Sequence, residues 1–285
     1  MVKEFDFIIK AALKEDIGAG DVTTRFFVPA GTRLRGEMVA KAAGVVCGLG
    51  VARRVFELAS PGSRVRLVSR DGARVKKGSV LMRIDGPASM LTAERTALNF
   101  LQHMSGVATR AALFASAVKN PRTKIYDTRK TLPGLRLLEK YAAACGGARN
   151  HRLGLYDMAM IKDNHAALAG GGAARLAGRI AALRRAKPGL KIEIEAQSLA
   201  QVKAFLPLGA DVLMLDNMPY GAMKKAIALA RAVAGKKPEI EVSGGVDLKK
   251  AARYSRLVPD RISVGSITSG AAPLDISLEV KAGKA

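Results

Sequence analysis

Three short polar clusters lie between residues 126 and 165: Asp127-Thr128-Arg129-Lys130, Asn150-His151-Arg152 and Lys162-Asp163-Asn164-His165. Arg129-Lys130 and Lys162 each follow a short apolar or β-prone run. Fixed cations at strand ends and in connecting loops are what a site for a small polyanion needs. At about 4 Å and an effective dielectric near 20, each unit charge pair contributes about 4 kcal/mol of gross attraction. An isolated surface ion pair contributes about 1 kcal/mol or less. Arg129, Lys130, Arg152 and Lys162, with His151, are therefore read together as facing a ligand that carries several carboxylates or phosphates.

Acids and glycines extend the same pattern. Glu193 and Glu195 alternate by two, so both side chains share one face of a strand. Glu195 and Asp216 end successive runs and suit ribose hydroxyls or a divalent cation. Glu193 is equally readable as the partner of a buried Lys or Arg. Ser243-Gly244-Gly245 and Gly265-Ser266 end two later runs, where glycine lets backbone N–H groups approach an anion. Arg95 shares a helical face with Asn99, Gln102 and His103, a polar stripe unusual enough to keep Arg95 as a candidate. No nucleophile–base pair, metal-binding His cluster or GxGxxG is present, so positioning and electrostatic stabilisation would carry the chemistry. A phosphosugar, a pyrophosphate and a small carboxylated acceptor are the implied ligands.

The elements that must position these residues follow from periodicity. Residues 1 to about 88 read as mixed α/β. A helix spans Glu4 to Lys14, a strand Arg35 to Lys41, and a strand pair Arg64 to Ser69 with Val80 to Ile84. A long helix runs from Ser89 to about Met104, breaks at Ser105-Gly106 and resumes to Val118. Leu91, Leu98, Leu101 and Met104 share its apolar face. From residue 124, β-prone runs recur at Lys124–Lys130, Met158–Asp163, Lys191–Glu195, Asp211–Asn217, Glu239–Gly245 and Arg261–Ser266. Helical segments lie between them, at Gly172–Ala186, Leu199–Leu206, Tyr220–Ala234 and Leu248–Leu257. Such alternation predicts a parallel sheet closing as an α/β barrel, with chemistry at the C-terminal strand ends.

Composition excludes several classes. The chain has 285 residues, 49% of them hydrophobic, and reads as globular. It contains no run of about 18 apolar residues, so no membrane partner is expected. The N-terminus lacks a signal-peptide core. Cys47 and Cys145 have neither metal nor redox spacing and are read as free thiols of a cytoplasmic protein. The net charge of +23 is scattered, with no run beyond pairs such as Lys76-Lys77 and Lys249-Lys250, and there is no Trp. Without an aromatic platform among the charges, nucleic-acid binding is the weaker reading and no specific nucleic acid is expected. A basic field that draws in small anions is the stronger one.

The chain resembles the quinolinate phosphoribosyltransferase family. The resemblance is carried by EDIGAGDVTT (15–24), LTAERTALNFLQHMSGVAT (91–109), DTRKTLPGLRLLEKYA (127–142), GGARNHRLGLYDMAMIKDNH (146–165), IEIEAQS (192–198), LMLDNM (213–218), EVSGGV (241–246) and LDISLEV (274–280). These motifs cover nearly the whole chain in the family's order. The resemblance implies an α/β fold with two parts. Residues 1–108 would form an N-terminal α/β sandwich domain, joined by the C-terminal segment 271–285. Residues 109–270 would form an incomplete, seven-stranded type of α/β barrel. It implies a homodimer or an assembly of dimers with shared sites, and Mg²⁺ as cofactor. The implied reaction, in NAD biosynthesis, joins quinolinate to phosphoribosyl pyrophosphate and gives nicotinate mononucleotide, pyrophosphate and CO2. By motif, Arg129, His151, Arg152 and Lys162 would bind quinolinate, with Arg95 reaching in from a partner subunit. Lys130, Glu195, Asp216, Ser243, Gly244, Gly245, Gly265 and Ser266 would hold phosphoribosyl pyrophosphate. Lys130, Lys162, Glu195 and Asp216 would be the catalytic set, with the metal at Glu195 and Asp216, directly or through substrate or water. One motif departs: where the family commonly has Thr-His-Ser, this chain has Thr268-Ser269-Gly270. A paralogous phosphoribosyltransferase of the molybdenum-associated type, with another acceptor, is the alternative that this departure motivates.

Overall fold

The computed structural model describes residues 2–168 and 173–282. The chain divides into two compact units. One comprises residues 1–112, 131–147 and 270–285, and the other residues 113–130 and 148–269.

The first unit is built on a four-stranded antiparallel sheet. Its strands are β1 (Arg33–Ala40), β3 (Arg64–Leu67), β5 (Val80–Pro87) and β12 (Ile276–Ala282), in the order β12-β1-β5-β3. The short strands β2 (Gly44–Val45) and β4 (Arg74–Val75) pair separately. Every second residue of β1 from Leu34 to Met38 is buried, the period-2 pattern of a strand with one wet face. The helices Asp6–Ile17 and Leu49–Ala59 pack on each other, and Arg54 grips Asp6 through two bonds of 2.9 and 2.7 Å. The C-terminal strand pairs along the whole of β1 from Leu34 to Ala40, so the end of the chain is part of this unit.

One expectation about this unit is corrected. The helix Met90–Ala117 runs unbroken through Ser105-Gly106. Gly106 is there for close approach: a Cβ on it would stand 2.1 Å from the Ala272 carbonyl oxygen. Ser105 uses its hydroxyl on the backbone of Cys47, accepting from its N–H at 2.9 Å. Residues 131–147 group with the first unit. Their helix, Arg136–Cys145, is held there by polar contacts made far along the chain. Glu139, fully buried, meets His103 Nε2 at 2.9 Å and accepts the Leu132 N–H at 3.2 Å. The Tyr141 hydroxyl donates to Asp71 at 2.9 Å.

The second unit is a six-stranded parallel sheet. Its strands are β6 (Lys124–Tyr126), β7 (Met158–Ile161), β8 (Lys191–Ala196), β9 (Val212–Asp216), β10 (Glu239–Ser243) and β11 (Arg261–Ser263), in the order β6-β11-β10-β9-β8-β7. The seventh strand is reduced to one bridge, Tyr126 with Arg149. Beyond it the chain leaves the sheet, turned by Asp157, whose carboxylate accepts the Leu153 N–H at 2.7 Å. Helices Ala173–Ala186, Leu199–Phe205, Tyr220–Ala232 and Leu248–Tyr254 follow β7 to β10 in turn, and the sequence expectation for Gly172 lies outside the described residues.

Binary patterning decides which side chains look inward. In β8, Ile192 and Ile194 join Leu176 and Ile180 of the neighbouring helix in one apolar cluster. Glu193 and Glu195 must then face the other way, into the sheet's inner face. Register carries the pattern across. Glu195 is level with Met214, Met214 with Glu241, and Glu241 with Arg261. One step up, Asp216 is level with Ser243.

Candidate active site

At the C-terminal ends of these strands the second unit gathers most of the residues singled out above. Lys162 follows β7 directly, and its Nζ donates to Glu195 Oε2 at 2.9 Å. Gln197 Nε2 reaches the other Glu195 oxygen at 3.3 Å, so the carboxylate is held from both sides. Asp216, half-buried at the end of β9, accepts from Asn217 Nδ2 at 2.8 Å. Lys130 lies across the turn after β11: a Cβ on Gly265 would sit 2.8 Å from its Cδ and would push the lysine side chain aside. The Thr268 hydroxyl fixes the Lys130 carbonyl at 2.7 Å, and the Lys130 N–H bonds Thr128 Oγ1 at 3.0 Å. Ser266 is half-buried and begins a short helical turn; Ser269 Oγ donates to the Gly265 carbonyl at 3.1 Å.

The turn after β10 depends on glycine. Gly244 has φ +101° and Gly245 φ +52°. Asn217, itself at φ 53°, fills the space where a Gly244 side chain would go. Sequence reasoning missed Lys250, whose Nζ donates to the Gly245 carbonyl at 2.9 Å and sets a cation beside this turn.

Arg129 and Arg152 lie near enough for their charges to act on each other. Arg152 Nη1 donates to the Met158 carbonyl at 3.1 Å and Nη2 lies 3.5 Å from Met160 Sδ. Burial, and next the charge of Arg129, push its pKa below the ordinary arginine value, against the pull of Glu193 and Asp157. Two guanidinium groups held near one another disfavour each other's charge, and a bound polyanion relieves that cost.

His151 does not stand with these cations. Its side chain is 4% exposed, and its ring points to the inner face of the sheet. Nε2 lies 3.2 Å from Glu241 Oε1 and 3.4 Å from Glu193 Oε2. Nδ1 accepts the Arg152 backbone N–H at 2.8 Å, and the His151 N–H donates to buried Asp127 at 2.7 Å. Burial pulls the imidazole pKa down, but the two glutamates outweigh it and raise it to about 9. Burial and the charge of Glu241 lift Glu193 to about 7, with His151 and Arg261 pulling it back. The raised imidazole pKa keeps a proton on Nε2, where Glu241 and Glu193 face it. His151, Glu193 and Glu241 are close enough to share a metal ion, yet a protonated Nε2 is not a ligand in this ring orientation.

The rest of this interior was only partly legible. Arg261 Nε pairs with Glu239 Oε2 at 2.6 Å, and its Nη1 stands 3.8 Å from Glu241 Oε2. Its guanidinium also lies 4.8 Å from the Tyr126 ring centroid. Ser263 donates to Glu241. Asp127 was read only as part of its polar cluster, and Glu241 and Arg261 were not singled out from sequence. The signal was present for Glu241, since EIEVS repeats the alternation of IEIEA.

In the first unit the polar stripe of the long helix splits. Gln102 Nε2 donates to the Ile276 carbonyl at 2.7 Å, and His103 meets Glu139. Arg95 and Asn99 remain exposed.

A half-closed parallel α/β sheet with cations, acids and glycine turns at its C-terminal rim defines an enzyme that holds a small polyanionic substrate. Comparison gives the family. The C-terminal domain of quinolinate phosphoribosyl transferase matches residues 107–279, and its N-terminal domain matches residues 21–105. The chain is 42% identical over 276 residues to the nicotinate-nucleotide pyrophosphorylase [carboxylating] of Mycobacterium leprae, covering 95% of each chain. It is 37% identical to the probable enzyme of that name from Bacillus subtilis, covering 93% of this chain and 90% of that one. The crystal structure of NadC from Streptococcus pyogenes superposes with a TM-score of 0.93 at 37% identity, covering 100% of this chain and 99% of that one. The chain belongs to the quinolinate phosphoribosyltransferase family.

Proposed function

We propose that the chain transfers the phosphoribosyl group of phosphoribosyl pyrophosphate to the nitrogen of quinolinate, releasing pyrophosphate and CO2 and leaving nicotinate mononucleotide. The observation that carries the reading is the rim itself, with Arg129, Arg152 and Lys162 on one side and Glu195, Asp216 and two glycine turns on the other. Arg129, Arg152 and Lys162 bind the acceptor's carboxylates. Lys130 and Lys162 face the pyrophosphate, and Ser243, Gly244, Gly245, Gly265 and Ser266 offer donors to the 5′-phosphate.

Departure of pyrophosphate builds positive charge on the sugar, which Glu195 and Asp216 favour. The pyridine nitrogen attacks and becomes cationic, that charge stabilises the carbanion left when the adjacent carboxylate departs as CO2, and a proton from solvent then fills the vacated ring position. No general base is required. Mg²⁺ suits the hard oxygens of Glu195 and Asp216. Lys162 and Gln197 already hold the Glu195 carboxylate, which favours contact through water or substrate. When bound, the ion neutralises pyrophosphate charge.

The test is a paired assay with quinolinate and nicotinate. CO2 and pyrophosphate should appear in equal amounts from quinolinate. An enzyme that consumes nicotinate and ignores quinolinate refutes the reading.

The working form is a homodimer in which Arg95 acts on the partner's acceptor site. Phe7, Phe26 and Phe27 of the first unit are exposed, at 86%, 76% and 82%, and aromatic side chains of this kind are enriched at interfaces. Arg95→Ala mixed with Lys162→Ala should regain activity that neither has alone, since one site in the mixed dimer is intact. Verified mixed dimers without recovery would count against sharing. No described helix is long and apolar enough to cross a membrane, and both cysteines are free, which supports a reducing cytoplasm as its location.

A further inference from the structure

We propose that Cys47 and Cys145 form a reversible thiol-oxidation site of the first unit, in which a hydroperoxide oxidises Cys145 and Cys47 then closes a disulfide onto it. Three ties bring these distant segments together. The first runs through the helix Met90–Ala117. Ser105 Oγ accepts the Cys47 N–H at 2.9 Å and donates to the Cys47 carbonyl at 3.2 Å. One turn further along the same helix, the Ala108 carbonyl packs on Gly146, where a Cβ would stand 2.2 Å from its oxygen. The second tie is Asp71. One carboxylate oxygen accepts the Gly48 and Leu49 N–H groups, each at 3.0 Å, and the other accepts the Tyr141 hydroxyl at 2.9 Å. Tyr141 lies one turn before Cys145 on the helix Arg136–Cys145. The third tie is Gly72. Its N–H bonds the Val46 carbonyl at 2.8 Å, and a Cβ on it would meet the Cys145 carbonyl oxygen at 3.3 Å. Within this frame the two thiols are hydrogen-bonded to each other.

The two sulfurs differ in access and in character. Cys47 is fully buried, whereas Cys145 is half-buried and meets a small oxidant first. The hydrogen bond from Cys47 lowers the Cys145 pKa from the ordinary thiol value; burial opposes this, Tyr141 adds to it and the charge of Asp71 opposes it. The same thiol contact, then burial and the charge of Asp71, push Cys47 up. The thiolate is the nucleophile, so Cys145 reacts first. Its sulfur, the proton given to solvent, attacks one oxygen of the peroxide. An S–O bond forms, the O–O bond breaks, and the leaving oxygen takes up a proton, which leaves Cys145 as a sulfenic acid. The Cys47 sulfur then attacks the Cys145 sulfur. An S–S bond forms, the S–O bond breaks, and the departing hydroxide leaves as water with the Cys47 proton. Two electrons pass from the thiols to the peroxide. A sulfenic acid with no thiol beside it goes on to an irreversible sulfinic acid, and Cys47 guards Cys145 against that. None of this depends on the chemistry of the rim.

The test counts thiols in purified full-length protein that has been reduced and then freed of reductant. The chain has two cysteines, so iodoacetamide added after unfolding should find two thiols before exposure to hydrogen peroxide. It should find none after a brief exposure, and two again once dithiothreitol is added. A digest made without reductant should hold the Cys47 and Cys145 peptides joined. Thiols are the readout because the ten methionines also take oxygen from peroxide. Two thiols still open to alkylation, a disulfide between chains, or Cys145 sulfinic acid as the main product would each overturn the proposal. Two variants test the order of attack. In Cys47→Ser, dimedone should trap Cys145 as a sulfenic acid, and without the trap Cys145 should pass to the sulfinic acid. In Cys145→Ser, Cys47 should take at least about tenfold less label, because it is buried and holds its proton more tightly. Equal or greater labelling of Cys47 would overturn the roles assigned to the two sulfurs. If thermal melting shows that either variant fails to fold, the thiol count and the joined peptides of the wild-type protein still decide between disulfide and no disulfide.

Discussion

Arg129→Ala should cut kcat/KM for quinolinate by about 30-fold to several thousandfold, the range expected when a hydrogen-bonded charge pair worth about 2–5 kcal/mol loses one partner. Arg129 follows β6 by three residues and sits close enough to Arg152 to depress its pKa. That proximity separates the effect on catalysis from the effect on folding. In the ligand-free protein the charge of Arg129 opposes that of Arg152, so the variant should still fold, with a melting temperature close to that of the wild type. In the complex, the same residue answers a carboxylate, and its loss is felt in full. Steady-state kinetics and thermal melting on one preparation check both parts. Wild-type turnover in a variant that melts normally would refute the site assignment.

Gly244→Ala should be the most damaging single-methyl change at the rim. Its φ of +101° is a conformation that L side chains rarely adopt, which costs about 1–3 kcal/mol. The added Cβ would also stand 2.2 Å from Asn217 Oδ1 and 2.7 Å from the Asn217 backbone nitrogen. Asn217 cannot simply retreat, since its N–H bonds the Ser243 carbonyl at 3.1 Å and its side chain holds Asp216. Overpacking of this kind adds about 1–3 kcal/mol. A melting temperature lowered by about 5–15 °C follows, at about 2–4 °C per kcal/mol. KM for phosphoribosyl pyrophosphate should rise as well, because Asp216 and the turn move together. Gly245→Ala is the control. Gly245 sits at φ +52°, and a Cβ there meets only Lys250 Nζ at 3.7 Å, so the loss should be near 1 kcal/mol. Equal damage at the two positions would show that the Asn217 contact is not the cause.

The parts of this molecule that were legible in the sequence are those governed by local rules. Period-2 alternation in Lys191–Ala196 and Glu239–Ser243 places isoleucine and valine on one face and acids on the other, whatever else the chain does. The polar residues that close each run therefore lie at strand ends, and a parallel sheet puts those ends on one rim. Arg129, Lys130, Lys162, Glu195, Asp216 and the two glycine turns follow from that alone. Gly244 announced a turn by its residue type, although its dependence on Asn217 did not.

What the tertiary structure decided is where contacts cross long stretches of chain. Ser105-Gly106 has the composition of a helix break, but the helix continues because Gly106 admits the backbone of Ala272. Residues 131–147 join the first unit because Glu139 and Tyr141 find partners 36 and 70 residues away. His151 belongs by its neighbours in sequence to a cluster of cations, yet its ring turns inward to Glu241, 90 residues on. A side chain beside a strand has two directions to choose from, and its own segment does not choose between them. The buried carboxylates do, because in the dry interior of the sheet they need a donor more than the solvent-washed rim needs one more cation.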